Sequence, residues 1–115
     1  MTGDEAGSVV RRALLESMGP EAAEQIALAQ VRLAWDEVVA TAGLATGELQ
    51  SHVVRVAAGT AHVEASESIL AQELSLRGEA LVWAVNERMR DRPGATIVLS
   101  GLAVSVHRRG AGGRI

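Results

Sequence analysis

Arginines near the end of the chain are the side chains best suited to chemistry, because a guanidinium can grip a phosphate through two hydrogen bonds. From Glu87 onward there are six arginines against two acids: Arg88, Arg90, Arg92, Arg108, Arg109 and Arg114. Residues 1–50 hold three Arg and eight acids, a balance of −5, whereas residues 51–115 hold eight Arg and six acids, a balance of +2. The sequence therefore predicts a local phosphate-binding patch on a chain whose net charge is −3.

Five arginines are the candidate phosphate contacts within the predicted domain. Arg55 lies on the outer face of a predicted strand, and the others lie along the last predicted helix: Arg77, Arg88, Arg90 and Arg92. A solvated basic face is an equally good interpretation of the same residues. The chain contains no lysine, which we attribute to genome composition rather than to chemistry.

Several classes of catalytic chemistry are missing from the sequence. The absence of cysteine excludes disulfides, thiolate nucleophiles and zinc–thiolate sites. His52, His62 and His107 lack metal-ligand spacing and are interpreted as exposed polar residues of strands. No phosphate-binding loop, dinucleotide motif or nucleophile elbow is present, and Glu64 and Glu67 are interpreted as surface charge. We expect neither an enzyme nor a bound cofactor or metal.

Length and composition indicate one domain. A chain of 115 residues with 48% hydrophobic residues can bury a single core. We expect residues 1–7 to be disordered, residues 8–107 to form one α+β domain and residues 108–115 to form a flexible basic tail. No apolar run is long enough to cross a bilayer and no secretion signal is present, so a cytoplasmic location is expected.

Apolar periodicity predicts two helices in the first half of the chain. Ser8 can cap a first helix that ends at Gly19-Pro20, with apolar side chains at Val10, Leu14 and Met18. Pro20 suits the start of a second helix, Gly43 suits its end, and an apolar stripe joins Leu28, Val31, Trp35, Val38 and Ala42. We interpret Trp35 as a core residue, with Asp36 and Glu37 beside it in solvent.

The middle of the chain predicts a hairpin. Strands over 52–57 and 60–65 meet at Ala58-Gly59, where Gly can supply a positive φ. In the second strand the alternation predicts one packed face, formed by Ala61, Val63 and Ala65. In the first strand Val54 and Val56 are predicted to share a face, with Arg55 on the other.

The second half of the sequence predicts a long helix followed by further strand-like residues. Ser66 is the predicted N-cap of one helix that runs to about Arg90, with Gly78 inside it and close helix–sheet approach as compensation. A turn at 91–94 precedes strand-like residues 96–99 and 102–106, which are either one bent strand or two. The predicted order is helix, helix, strand, strand, helix, strand, with a small three-stranded sheet packed on helices.

The sequence resembles the DciA family of bacterial replicative-helicase loaders. The resemblance covers residues 28–107 and lies in LAWDEVV at 33–39, Gly43, GTAHVEASESILAQEL at 59–74, Asn86 and the closing strand. It implies a K-homology-like domain that binds the hexameric replicative DNA helicase, assists its loading and has affinity for DNA. Trp35 falls on the family's tryptophan, a position linked to helicase function.

The chain departs from that pattern in ways that shape the DNA prediction. Ile69 stands where the family usually has an aromatic residue, and LATGELQS lacks the family's usual connection after the second helix. There is no G-x-x-G loop of true K-homology domains, and the aromatic residues are two Trp alone. The five candidate arginines are then the candidate DNA contacts, and DNA contact should be weak, Arg-driven and salt-dependent. A K-homology-like RNA-binding module and a protein-interaction adaptor without a nucleic-acid role are the alternatives.

Overall fold

The computed structural model describes residues 19–107, and there the α+β prediction is confirmed. Three helices pack on one three-stranded sheet, in the order α1 (Pro20–Thr41), β1 (Ser51–Ala57), β2 (Thr60–Ala65), α2 (Ser68–Leu76), α3 (Gly78–Met89) and β3 (Gly101–Val106). The expected disorder of residues 1–7, the helix predicted within residues 8–18 and the basic tail 108–115 lie outside the described residues. None of the described helices has the length and apolarity that crossing a bilayer requires.

Helix α1 forms much as its sequence predicts. Pro20 occupies its first position, and Gly43 follows its end with φ +76°. The side chains that α1 buries recur at helical spacing: Ala27, Val31, Ala34, Trp35, Val38 and Val39. Ala42, predicted to extend this stripe, is instead the exposed C-cap residue. A broad apolar face therefore anchors α1 on the sheet.

A tight turn at Ala58-Gly59 joins β1 to β2, as predicted. Both residues have positive φ, 51° and 81°, which is the geometry of a two-residue turn that matches strand twist. The Gly59 carbonyl also accepts a hydrogen bond from the Ser100 amide at 2.8 Å. A Cβ on Gly59 would lie 2.8 Å from the Ser100 Oγ, so this position requires glycine for its conformation and for its space.

A β-bulge changes the predicted faces of β1. The register of the antiparallel pair shifts between Val53 and Arg55, and Val53 and Val56 stand opposite Val63 and Ala61 on the core face. The prediction that Val54 shares the face of Val56 is therefore wrong, because the extra residue breaks strict alternation. On β2 the predicted packed face is confirmed, since Ala61, Val63 and Ala65 are all buried.

The C-terminal strand is shorter than the two predicted pieces. One strand forms from Gly101, and β3 runs parallel to β2 with Thr60 opposite Gly101. The prediction of strand at residues 96–99 is wrong, because β2 begins at Thr60 and offers that stretch nothing to pair with. Asn86 on α3 binds the stretch instead, as its side chain donates to the Leu99 carbonyl and accepts from the Leu99 amide, each at 2.9 Å.

The single long helix predicted after β2 is two helices. Arg77, with φ −100° and ψ 15°, separates α2 from α3. A straight helix over residues 68–89 would be ~33 Å long, whereas a six-residue strand spans ~20 Å. The break, next to the poor helix former Gly78, separates α2, which packs on β2 and β3, from α3, which packs on α1 and β3. A Cβ at Gly78 would meet Leu102 at 4.0 Å, an ordinary contact, so close approach to the sheet does not explain this glycine.

The prediction that Ser66 is the N-cap of this helix is wrong. Helix α2 begins at Ser68, and Glu67 holds the cap position without a side-chain cap bond. The Ser66 hydroxyl accepts a hydrogen bond from the Gln50 amide at 2.9 Å and donates one to the Glu48 carbonyl at 3.1 Å. The hydroxyl thus ties the end of β2 to the segment before β1.

Candidate functional site

Trp35, the residue that the resemblance links to helicase function, is 1% exposed. Its indole Nε1 donates a hydrogen bond to the Oγ of Ser51, at the start of β1, over 3.0 Å. A buried indole N–H requires such a partner. Trp35 therefore belongs to the hydrophobic core and locks α1 to the sheet.

Two of the candidate DNA-binding arginines converge on one carboxylate. Arg88 on α3 lies 3.2 Å from Glu37 Oε1 and donates to the Thr41 hydroxyl at 3.1 Å. Arg92, in the turn after α3, donates to the same Glu37 oxygen. Glu37 is thus not the freely solvated residue that the sequence predicts. These contacts hold the C-terminal part of α1 against the end of α3.

The charge of this cluster lowers the pKa of Glu37. The hydrogen bond from Arg92 is the main cause; desolvation opposes it, and a hydrogen bond from Arg88 and the charges of both arginines lower the pKa further. Both guanidiniums favour the ionised carboxylate. Part of the positive charge of Arg88 and Arg92 is therefore neutralised within the fold.

The remaining candidates divide between paired and unpaired arginines. Arg77 binds Glu73 at 2.6 Å, and Arg90 binds Glu87 one turn earlier on α3. Within residues 19–107, no carboxylate pairs with Arg55, which is exposed on β1 opposite His62. The structure therefore brings Arg88 and Arg92 together and leaves Arg55 on a separate surface.

A shallow groove of about 230 Å³ lies between the end of α1 and α3. Arg77 and Arg88 flank it, and its other lining residues are mainly apolar: Val38, Thr41, Ala42, Ala80, Leu81 and Ala84. We call it the Arg77–Arg88 groove. Trp83 on α3 and Leu76 at the end of α2 do not line the groove, and they are 66% and 76% exposed. An exposed tryptophan on a helix that also lines an apolar groove is typical of a surface that another protein covers.

A larger groove of about 550 Å³ lies between the first turns of α1, the hairpin turn and the segment before β3. Its lining includes Arg55 and the 75%-exposed Val98, together with apolar residues such as Ala27 and Ile97. Glu24 lines it as well and offsets the charge of Arg55. This mixed lining does not single out one class of ligand.

The outer face of the sheet, opposite the helices, gathers histidines from all three strand regions. Residues directly opposite in register share a face, which places His52 beside Glu64 and Arg55 beside His62. His107 follows β3, and its Nδ1 lies 3.2 Å from Glu64 Oε1; His52 Nε2 lies 3.5 Å from the same oxygen. We define the outer face by these five residues.

Sequence reasoning missed three of the residues that organise these surfaces. Arg32 caps the β1 bulge, Glu37 gathers two arginines, and Glu64 bridges two histidines. Each relationship joins residues on different elements, so spacing along the chain carries no signal for it. Trp83 was recognisable, since it lies off the apolar stripe of its helix.

The part of the chain that the structure describes contains no group of three or more His, Cys, Asp or Glu that could hold a metal ion. The cluster of His52, Glu64 and His107 is therefore not a candidate metal site. Comparisons with protein-family models, with curated proteins and with solved structures find no match to this chain.

Proposed function

We propose that the protein is a non-catalytic DNA-replication factor of the cytoplasm, which binds the hexameric replicative helicase and assists its loading on DNA. The family resemblance supports this proposal, because the residues that carry the resemblance form contacts that connect one helix or strand to another. Trp35 binds the start of β1, Asn86 binds the segment before β3, and the stretch 59–74 forms the turn, β2 and most of α2. A K-homology-like arrangement fits the three-stranded sheet packed on helices.

The Arg77–Arg88 groove is the observation that best supports a protein partner. Its apolar floor and the exposed Trp83 offer an anchor, because tryptophan and arginine dominate binding energy at protein interfaces. The two flanking guanidiniums pair with Glu73 and Glu37 of the same fold, so acidic residues of a partner share them with these carboxylates. The matching segment of the helicase is therefore an amphipathic helix with acidic residues beside its apolar stripe.

Buried Trp35 acts on this function through the fold. Because it is 1% exposed, it offers no surface to a helicase. A substitution there changes helicase binding by loosening α1, which carries Val38 and Thr41 of the groove. A substitution at Trp35 thus weakens helicase binding by disturbing the fold, whereas a substitution at Trp83 removes an exposed side chain from the surface.

The experiment is size-exclusion chromatography with light scattering on the protein mixed with the replicative helicase of its own organism, at low and moderate salt. We expect a stable complex that Trp83→Ala weakens. Leu33→Ala is the matched control, since Leu33 is also an exposed apolar residue, at 50%, but is carried by α1, whereas Trp83 is carried by α3. Absence of a complex at both salt concentrations contradicts helicase binding. An equal loss of binding in Trp83→Ala and Leu33→Ala contradicts the assignment of the binding surface.

A K-homology-like RNA-binding module is the second candidate. The three-stranded mixed sheet covered by helices on one face favours it. The helix–helix junction at Arg77-Gly78 has no G-x-x-G sequence to clamp a nucleic-acid backbone. This candidate predicts salt-dependent RNA binding that is tighter than any helicase binding, and the absence of an RNA shift removes it.

A further inference from the structure

The outer edge of β3 has no backbone partner among residues 19–107. The order of the sheet is β1-β2-β3, so β3 is an end strand. The His107 amide donates to the Ala65 carbonyl at 2.8 Å, so the odd-numbered residues of this segment direct their backbone groups toward β2. Backbone groups of successive strand residues point to opposite sides. The N–H and C=O groups of the even-numbered residues therefore point away from β2: Leu102, Val104 and Val106.

The other end strand, β1, has an edge that is already protected. A bulge follows Val53, Arg55 adds a charge, and the carbonyls of Val53 and Val54 accept hydrogen bonds from Arg32. Strand β3 pairs with β2 in continuous register, and its sequence, GLAVSV, contains no charged residue and no proline. Proteins usually protect an open edge by these devices. The bare edge of β3 is therefore typical of a strand that another strand covers.

The residues with outward backbone groups also carry the apolar side chains of β3. Leu102, Val104 and Val106 stand opposite the buried residues of β2 and share their face of the sheet. Leu102 and Val104 are half-buried and pack against the core. A strand added at this edge would therefore extend both the hydrogen-bond ladder and the apolar face.

Strand β3 is complementary to a second copy of itself. Antiparallel pairing about a twofold axis at Val104 places Val104 against its symmetry mate and Leu102 against Val106 of the second copy. Each outward N–H and C=O group of these residues then has a partner. A twofold interface brings the same surface of both subunits together, and an uncharged strand allows this without like-charge repulsion. Because the axis is perpendicular to the sheet, the helices of both copies lie on one face.

Helix α2 supplies a second apolar surface at the same side of the fold. It packs on β3 and β2, whereas α1 packs on β1. Ile69 and Leu76 lie seven residues apart, hence on one flank of α2, and are 70% and 76% exposed. Glu73, between them, pairs with Arg77 at 2.6 Å. A stable interface buries about 800 Å² per partner, more than one strand ~20 Å long provides, so this flank supplies area that the dimer needs.

We propose that the protein forms a homodimer in which two β3 strands pair antiparallel and the exposed flanks of two α2 helices meet beside them. The two sheets become one continuous sheet with all helices on one face. The dimer stands without the proposed function, because it depends on strand pairing and not on the Arg77–Arg88 groove.

The test is size-exclusion chromatography with light scattering on the full chain alone, at about 1 μM and about 100 μM. We expect a dimer at the higher concentration. Val104→Pro should raise the dimer dissociation constant more than about tenfold, because it removes an outward N–H from both copies and leaves the β2–β3 ladder intact. Circular dichroism checks that the variant is folded.

The double variant Ile69→Glu/Leu76→Glu tests the contribution of α2. It should raise the same constant more than about tenfold, since it places like charges near the twofold axis. Leu33→Glu is the matched control, because Leu33 is 50% exposed and lies on α1. It should stay within about twofold of wild type. An equal loss in the control contradicts the interface.

Amide hydrogen exchange reads the edge residue by residue. The outward amides of Leu102, Val104 and Val106 should exchange slowly in concentrated protein and fast after dilution. The amides of Ala103 and Ser105, which face β2, should stay protected throughout. A monomer at about 100 μM overturns the proposal, whether its outward amides exchange fast or are covered by another segment of the chain. A dimer whose outward amides exchange fast overturns it as well, because its interface lies elsewhere.

Discussion

Arg32 on α1 caps the bulge of β1 by binding the backbone of Val53. Its Nε donates to the Val53 carbonyl at 2.9 Å, and its Nη2 donates to the Val54 carbonyl at 3.2 Å. A bulge interrupts the ladder locally, and the guanidinium satisfies the two carbonyls there. One side chain thus fixes the register irregularity and couples it to the helix.

Arg32→Ala should lower the free energy of unfolding by about 1–2 kcal/mol, because two charge-assisted hydrogen bonds are lost at a partly exposed site. Arg32→Lys should recover only part of this, since an ammonium cannot reproduce the two-pronged geometry. Urea denaturation measures both. Full stability of Arg32→Lys would show that the positive charge of Arg32, and not the two-pronged geometry of its guanidinium, stabilises the bulge.

Trp35→Ala should cost about 3–5 kcal/mol of stability through the cavity that it leaves in the core. Trp35→Phe should cost about 1–2 kcal/mol, because the ring is retained and the hydrogen bond to Ser51 is lost. A double-mutant cycle with Ser51→Ala isolates that bond. Additive losses would indicate that the bond contributes nothing. Trp35→Phe should also retain helicase binding.

Gly59→Ala should destabilise the hairpin by about 2 kcal/mol or more, since the new Cβ adds a contact with Ser100 to an unfavourable φ. Gly47→Ala is the matched control: Gly47 has φ +59° but nothing within 4 Å of its Cβ position. Gly47→Ala should lose only the stability that comes from the unfavourable φ, about 1 kcal/mol. Ser100→Ala in the Gly59→Ala background should restore part of the difference. Thermal unfolding of the four proteins decides between the two causes.

Glu37 gives a pH dependence of defined sign. Its pKa is lowered in the folded state from an ordinary value of 4.5, chiefly by the hydrogen bond from Arg92. A lowered folded pKa contributes stability above pH 4.5, and that contribution is lost as pH falls through the folded pKa. The stability difference between wild type and Glu37→Gln should therefore be largest near neutral pH and shrink in acid. Denaturation curves over this range measure it, and a constant difference would contradict the coupling.

Local signals in the sequence were enough for some elements. Pro20, the apolar stripe and Gly43 predict α1 to within two residues at its end, and Ala58-Gly59 predicts the hairpin turn. Each depends on backbone preferences and periodicity within a few residues. Such preferences act before tertiary contacts form, so a single sequence records them.

The errors arose where distant residues decide the outcome. Whether residues 96–99 pair depends on where β2 begins, and the break at Arg77 separates a helix that packs on β2 from one that packs on α1. The carbonyl of Val53 at the bulge in β1 accepts a hydrogen bond from Arg32, 21 residues away. No periodicity reports these requirements.

The residues of the candidate surfaces divide in the same way, into those that local sequence signals predict and those that contacts between distant residues decide. The exposure of Arg55 followed from alternation near a turn, but the pairing of Arg92 with Glu37 joins residues 55 positions apart. The histidines of the outer face become a cluster only through sheet register, which the isolated strands do not specify.

The parallel pairing of β2 with β3 has a consequence for synthesis on the ribosome. Helix α1 and the hairpin can form early, yet one edge of the central strand β2 stays open until Gly101–Val106 has emerged, 41 residues after Thr60. Until then the nascent chain presents unpaired backbone groups beside Ala61 and Val63, a template for pairing with other chains. Translation must therefore pass the last strand before the domain is protected from aggregation.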